Sequence, residues 1–223
     1  MASEVDICNV ALSHIGAEAQ VASIAPPDGS VEAGYCARFY PIARKEMLED
    51  QAWAFAKRRT VLTEVDNAST VWAYAYAVPS GMINALRILR LKYINDASLL
   101  WPAGSYLTYN FDWQAVDELF TERGSALFEI ENGVLYTNEP EATLLYTVDV
   151  TDTTKFSAKF VSAVGMLMAG YLAGPIIRGA DGASIGTKWR QAAYNMSASA
   201  AASNANSSNE TANHVAEHIR ARS

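Results

Sequence analysis

One run in the chain has the residue types and spacing of a metal site: His214-Val215-Ala216-Glu217-His218, an H-x-x-E-H string of the kind used by zinc hydrolases. Residues four apart share one face of a helix, so both imidazoles could reach one ion while Glu217 activated its bound water. Such a site needs a third ligand well downstream, and only five residues follow His218. The pair therefore reads as exposed histidines in a polar tail, and a zinc-dependent hydrolase using His214, Glu217 and His218 stands as the alternative. His14 is a single histidine without a nearby second ligand, which reads as structural or exposed. There is no G-x-x-x-x-G-K-[ST] and no G-x-G-x-x-G, and the carboxylates are scattered over caps, strands and loops. The expectation is a protein that is not an enzyme, with no catalytic residue, cofactor or metal.

The residues that remain conspicuous are small and apolar. From Phe160 to Ile177 no residue is charged, a length at which a membrane-inserting helix is a second alternative. Gly165, Gly170, Gly174 and Pro175 lower its hydrophobicity and helicity, and Gly170-x-x-x-Gly174 suits close helix packing in water as well as in lipid. The preferred reading is a core helix from about 157 to 173, covered partly by neighbouring subunits. The string Gly179-Ala180-Asp181-Gly182 reads as a turn. A helix over about 184–205 follows, with Ile185, Trp189, Ala193, Met196 and Ala200 in register. It carries no charge from Gln191 through Asn209 and is poorly protected against association. Gly165, Gly170, Gly174 and Met196 are the expected subunit-packing residues.

These elements sit in a chain of 223 residues, half of them hydrophobic, which is ample for a core. With 24 acidic and 17 basic residues the net charge is −7. A dedicated nucleic-acid binder presents a positive face, whereas a wall that lets a polyanion slide past does not need one. Cys8 and Cys36 both fall in predicted helices and are expected as reduced, buried thiols. The start MASEVDICN lacks a secretory pattern, so synthesis in a cytoplasm is expected.

Helical periodicity organises the N-terminal quarter. Ser3 and Asp6 form a capping-box pattern before a helix that ends near Gly16. Pro26-Pro27-Asp28-Gly29 then blocks helix and allows a turn. The longest helical signal runs from Ser30 to Arg59, with Ser30 as N-cap and Cys36, Phe39, Ala43, Met47, Ala52 and Phe55 as a buried stripe. Arg38, Lys45, Glu49 and Lys57 fall off it. Pro41 removes one intrahelical bond and is expected to kink or divide this helix.

After Arg59 the period becomes two. Trp72, Tyr74, Tyr76 and Val78 alternate with alanines, Pro79-Ser80-Gly81 turns the chain, and 85–91 reads as another strand. Shorter candidates lie at 99–101, 106–111 and 116–121. Asn132-Gly133 joins two runs within 126–137 as a hairpin that needs positive φ, and 142–150 alternates again. Strands bracketed by helices predict an α+β fold: a helical bundle built from the N- and C-terminal helices, with an inserted antiparallel sandwich-like or barrel-like sheet domain. The expected division is 1–58 and 152–205 helical, 59–151 β, and 206–223 a polar tail.

The order Ser30-x-x-Ala33-x-x-Cys36-x-x-x-Tyr40-x-x-x-Arg44, followed by Trp53-x-Phe55-Ala56-x-x-Arg59, resembles the tail tubular protein A family of bacteriophage head-to-tail adaptors. Gly133-x-Leu135-x-Thr137-Asn138, then Leu145-Tyr146 and Val150-Thr151-Asp152, resembles the later run of the same family. The resemblance implies a structural virion protein at the neck of the particle. It implies a homo-oligomeric ring of about twelve copies between the portal protein and the tail tube or nozzle protein, open for DNA to pass without sequence-specific binding, and no membrane. It marks Cys36, Tyr40, Arg44, Trp53, Phe55 and Arg59 as motif residues, and implies that the tail orders only on the portal; Trp53, Phe55 and Trp189 are the expected helical-core residues.

Overall fold

The computed structural model describes residues 2–18, 20–89 and 126–207. The strand candidates at 99–101, 106–111 and 116–121 and the tail, with His214, Glu217 and His218, lie outside the described residues. Within them the fold is α+β, with four α-helices and two three-stranded antiparallel sheets. The chain divides into two units. Lys57–Asp149 forms one, and the segments up to Ala56 and from Val150 onward form the other.

In the helical unit, α1 (Glu4–His14) starts at the expected capping box: the Asp6 amide donates to the Ser3 hydroxyl and the Ser3 amide to the Asp6 carboxylate. The second helix, α2 (Val31–Asp50), begins at Ser30, whose hydroxyl accepts from the Ala33 amide. Pro41 does not divide it; the helix runs through the proline, whose ring stands on the exposed side. The helix stops at Asp50, however, not Arg59. Gln51 is extended, Ala54–Ala56 makes one 3-10 turn, and Lys57 begins a strand. The reason is tertiary: the Trp53 indole N–H donates to the Met47 carbonyl at 2.6 Å, serving one of the acceptors a helix end leaves open. The chain therefore folds back on its own last turn.

The third helix, α3 (Ala158–Ile177), is capped by Ser157 and runs four residues past Ala173, taking Pro175 inside its last turn. Arg178 alone connects it to α4 (Gly179–Ser207). Gly179-Ala180-Asp181-Gly182, expected as a turn, is instead the first turn of α4; the turning is done by Arg178 at φ 63°, ψ 168°. That backbone region is tolerated almost only by glycine. Helix α3 packs on α1, α2 and α4.

In the β unit, β1 (Lys57–Val61), β6 (Thr143–Val148) and β3 (Met82–Leu89) form one sheet in the order β1-β6-β3. The other has β2 (Tyr74–Ala77), β5 (Val134–Thr137) and β4 (Phe128–Glu131) in the order β2-β5-β4. The β4–β5 turn is Asn132-Gly133 with φ 49° and 78°, the twin positive values of a tight two-residue hairpin. The β3–β6 register slips twice between Met82 and Arg87, as at β-bulges. Tyr76, Ile88, Leu135, Leu144 and Tyr146, drawn from both sheets, share one apolar cluster with Leu62, Ala126 and Ala142 beside the strands.

Candidate functional site

The motif residues of α2 line its inner face. Cys36 is fully buried, and Tyr40 and Arg44 nearly so, with the Arg44 guanidinium 6.0 Å above the Tyr40 ring. Burial pushes the Tyr40 hydroxyl up. Cys8 of α1 and Cys36 are both free, buried thiols; a hydrogen bond shared with Cys36, with burial added, pushes the Cys8 thiol up. Trp53 and Phe55 enter an aromatic cluster that sequence spacing did not reveal. Phe160 of α3 lies edge-on to Trp53 at 4.9 Å and to Phe55 at 5.0 Å, and Phe156 is 4.7 Å from Phe160. Such edge-to-face pairs add to the burial itself. Trp189 is half-buried under His14, ring centroids 4.3 Å apart, and that burial pushes the His14 pKa down. Arg59 does not belong with this set. It stands on β1, exposed, because the chain has left the helix by Lys57.

The expected subunit-packing residues separate into different roles. Gly170 lies at the crossing of α3 and α4: a Cβ there would stand 2.6 Å from Arg190 Cγ and 3.0 Å from the Gly186 carbonyl. Gly186 and Gly182 answer from α4, each with a virtual Cβ 2.8 Å from a backbone oxygen of α3, that of Gly170 and of Ala173 respectively. The close approach that Gly170 permits is thus made within the chain. Gly165 faces Val10 of α1 in ordinary contact, while Gly174 is exposed and has open space beside it. Met166, Tyr171 and Met196 remain half-buried.

Gly182-Ala183-Ser184-Ile185-Gly186 also reads G-x-S-x-G, a nucleophile-elbow string that the sequence reasoning above passed over. That elbow needs a strand-to-helix turn with its serine exposed at the tip. Here the string lies within α4, Ser184 donates to the Asp181 carbonyl, and both glycines serve helix packing.

Sequence reasoning also missed a polar clamp. The Tyr171 and Tyr194 hydroxyls both donate to Glu46 of α2, and the Ser197 hydroxyl donates to Asp50. The Tyr194 hydroxyl is pushed up to about 12, chiefly by its bond to the Glu46 carboxylate and then by burial. Tyr171 rises too, chiefly through burial, with Glu46 adding to it. More than a hundred residues separate these partners, so no local pattern marks them. Among the described residues no group of three metal-ligating side chains is assembled. A scan against protein-family models found no match to this chain, and a search of curated proteins found none.

Proposed function

We propose that the chain is a structural virion protein, a head-to-tail adaptor whose copies close into a ring between a portal and a tail tube or nozzle. In this reading the helical unit is a bundle whose free side meets the neighbouring copy, and the two sheets form a sandwich facing the next component. The observation that carries it is the incomplete cover of the most apolar helix. Phe160, Ala163, Val164, Leu167 and Met168 are fully buried by the chain's own packing, while Met166 and Tyr171 of α3 and Met196 of α4 are only half-buried. Water-facing apolar surface of that kind is stabilised when a neighbour covers it, at about 25 cal/mol per Å². Gly174, with open space beside it, lets a second helix come close. A contact between two different surfaces closes into a ring only when its rotation divides the circle; the resemblance implies about twelve copies.

The other partners follow from the same reading. DNA passes through the ring without being read, in keeping with the net charge of −7. The protein is made in the host cytoplasm and resides at the neck of the virion. Ala158–Ile177 is long and apolar enough to cross a membrane. Its four-residue spacing of fully buried side chains against α1, α2 and α4 supports a core helix instead. Negative-stain imaging and native mass spectrometry of the purified full chain test the proposal. Closed rings support it; a monomer at every concentration, or open filaments alone, would overturn it.

A further inference from the structure

The two cysteines of the chain stand on different helices and meet in the core of the helical unit. Cys8 lies on the buried face of α1 with Ile7, Ala11 and Leu12, and Cys36 on the buried face of α2 with Ala33 and Tyr40. The two helices pack against each other, and both thiols are free and fully buried. They share a hydrogen bond: Cys8 donates, which pushes its pKa up, and Cys36 accepts, which holds its own down. One buried cysteine is a small apolar filler. Two thiols in contact across a helix pair can also close a covalent bond.

We propose that Cys8 and Cys36 are a reversible redox pair, closed by a low-molecular-weight disulfide, RSSR, into a bond that staples α1 to α2. The Cys36 thiolate, the one the shared hydrogen bond stabilises, attacks one sulfur of RSSR, forming a mixed disulfide and releasing RS⁻. The Cys8 thiolate then attacks the Cys36 sulfur and expels the second RS⁻. The two protons that leave the cysteines end on the two RSH molecules; the protein gives up two electrons and RSSR takes them. Neither sulfur is exposed, so the first attack waits until α1 lifts from α2. That helix has 11 residues and is the first element of the chain, the kind of segment that opens locally before the whole fold does. The pair therefore responds slowly, to a lasting change of redox surroundings. Closing a loop of about thirty residues restricts the unfolded chain and opposes the same lifting motion. Because Val10 of α1 covers Gly165, the staple also fixes one wall around α3. The inference holds for a single copy and does not rest on the ring.

The test uses the purified full chain, reduced, freed of reductant and incubated without denaturant in oxidised glutathione at about pH 8. Unfolding in an alkylating reagent then counts the remaining thiols by mass. The expected result is loss of both thiols, a single chain lighter by two hydrogen atoms and a cross-linked peptide joining Cys8 to Cys36. The closed chain should melt about 5–15 °C higher, and dithiothreitol should reverse every change. Cys8→Ala should show no such rise after the same treatment. Two alkylatable thiols after prolonged incubation would overturn the proposal, as would glutathione adducts that persist on both cysteines or links between chains in place of the internal one. So would a closed chain that melts no higher than the reduced one. None of these readouts depends on whether copies assemble, so the ring reading stands or falls separately.

Discussion

Changing Gly186 to alanine and changing Gly34 to alanine should move stability in opposite directions, although both are glycine-to-alanine changes inside helices. At Gly34, on the exposed side of α2, an added methyl meets nothing within 4 Å. Only the backbone-entropy gain operates there, about 0.8–1.0 kcal/mol of stabilisation. At Gly186 the same methyl lands 2.8 Å from the Gly170 carbonyl oxygen, a backbone atom that cannot rotate away. Reaching an ordinary contact forces the two helices apart along a crossing that Gly170, Gly182 and Gly186 share, and overpacking of this kind costs about 1–3 kcal/mol. Net of the propensity gain, Gly186→Ala should lose about 0–2 kcal/mol, so the two variants should differ by about 1–3 kcal/mol. For a chain of this size that is a separation on the order of 2–12 °C in the melting point of the helical signal. Circular dichroism at 222 nm through a thermal ramp, with urea titration as a check, measures it. Equal stabilisation by the two alanines would refute the glycine-lined crossing of α3 and α4.

Further outcomes follow from the other contacts. Tyr171→Phe should cost about 1.5–3 kcal/mol by removing a bond to the Glu46 carboxylate, and Tyr194→Phe less because that ring is more exposed; a double-mutant cycle with Glu46→Gln reads the coupling in urea titrations. Arg178→Gly should raise stability by about 1 kcal/mol or more, since glycine holds φ 63° without strain; an unchanged or lower melting point would contradict the strain. Asp28 is held down to about 2 by bonds from the Ser30 hydroxyl and the Ala22 and Ser30 amides. Its folded value lies below the unfolded one of about 3.9. Its stabilisation is therefore complete above about pH 4 and lost as pH falls through about 2. Asp28→Asn should flatten the acid limb of stability in that window, and a carboxyl NMR titration should place the Asp28 midpoint near the lower end.

Much of the architecture was legible because it is written locally. The capping serines at Ser3 and Ser30, the Asn132-Gly133 hairpin and the two-residue period around Tyr74 and Tyr76 each involve groups a few residues apart, and the structure has them where expected. The end of α2 was not legible, because helical spacing through Ala52 and Phe55 mimics a continuing stripe. What stops the helix is the Trp53 indole returning to Met47, a tertiary choice between two ways of burying the same ring. The role of Gly170 was half legible. Its spacing announces close packing, but whether the second helix comes from the same chain depends on Gly182 and Gly186 across the Arg178 turn. The Glu46 clamp and the pairing of Trp53 with Phe160 join distant segments and leave no periodic trace.

The proposal that neighbouring copies finish the cover of α3 and α4 is tested most directly by oxidative footprinting of Met166 and Met196 in the isolated chain and in the assembled particle. Both methionines should react readily in the isolated chain and be protected on assembly, with the fully buried Met168 slow in both states. Equal reactivity of Met166 and Met196 before and after assembly would contradict it.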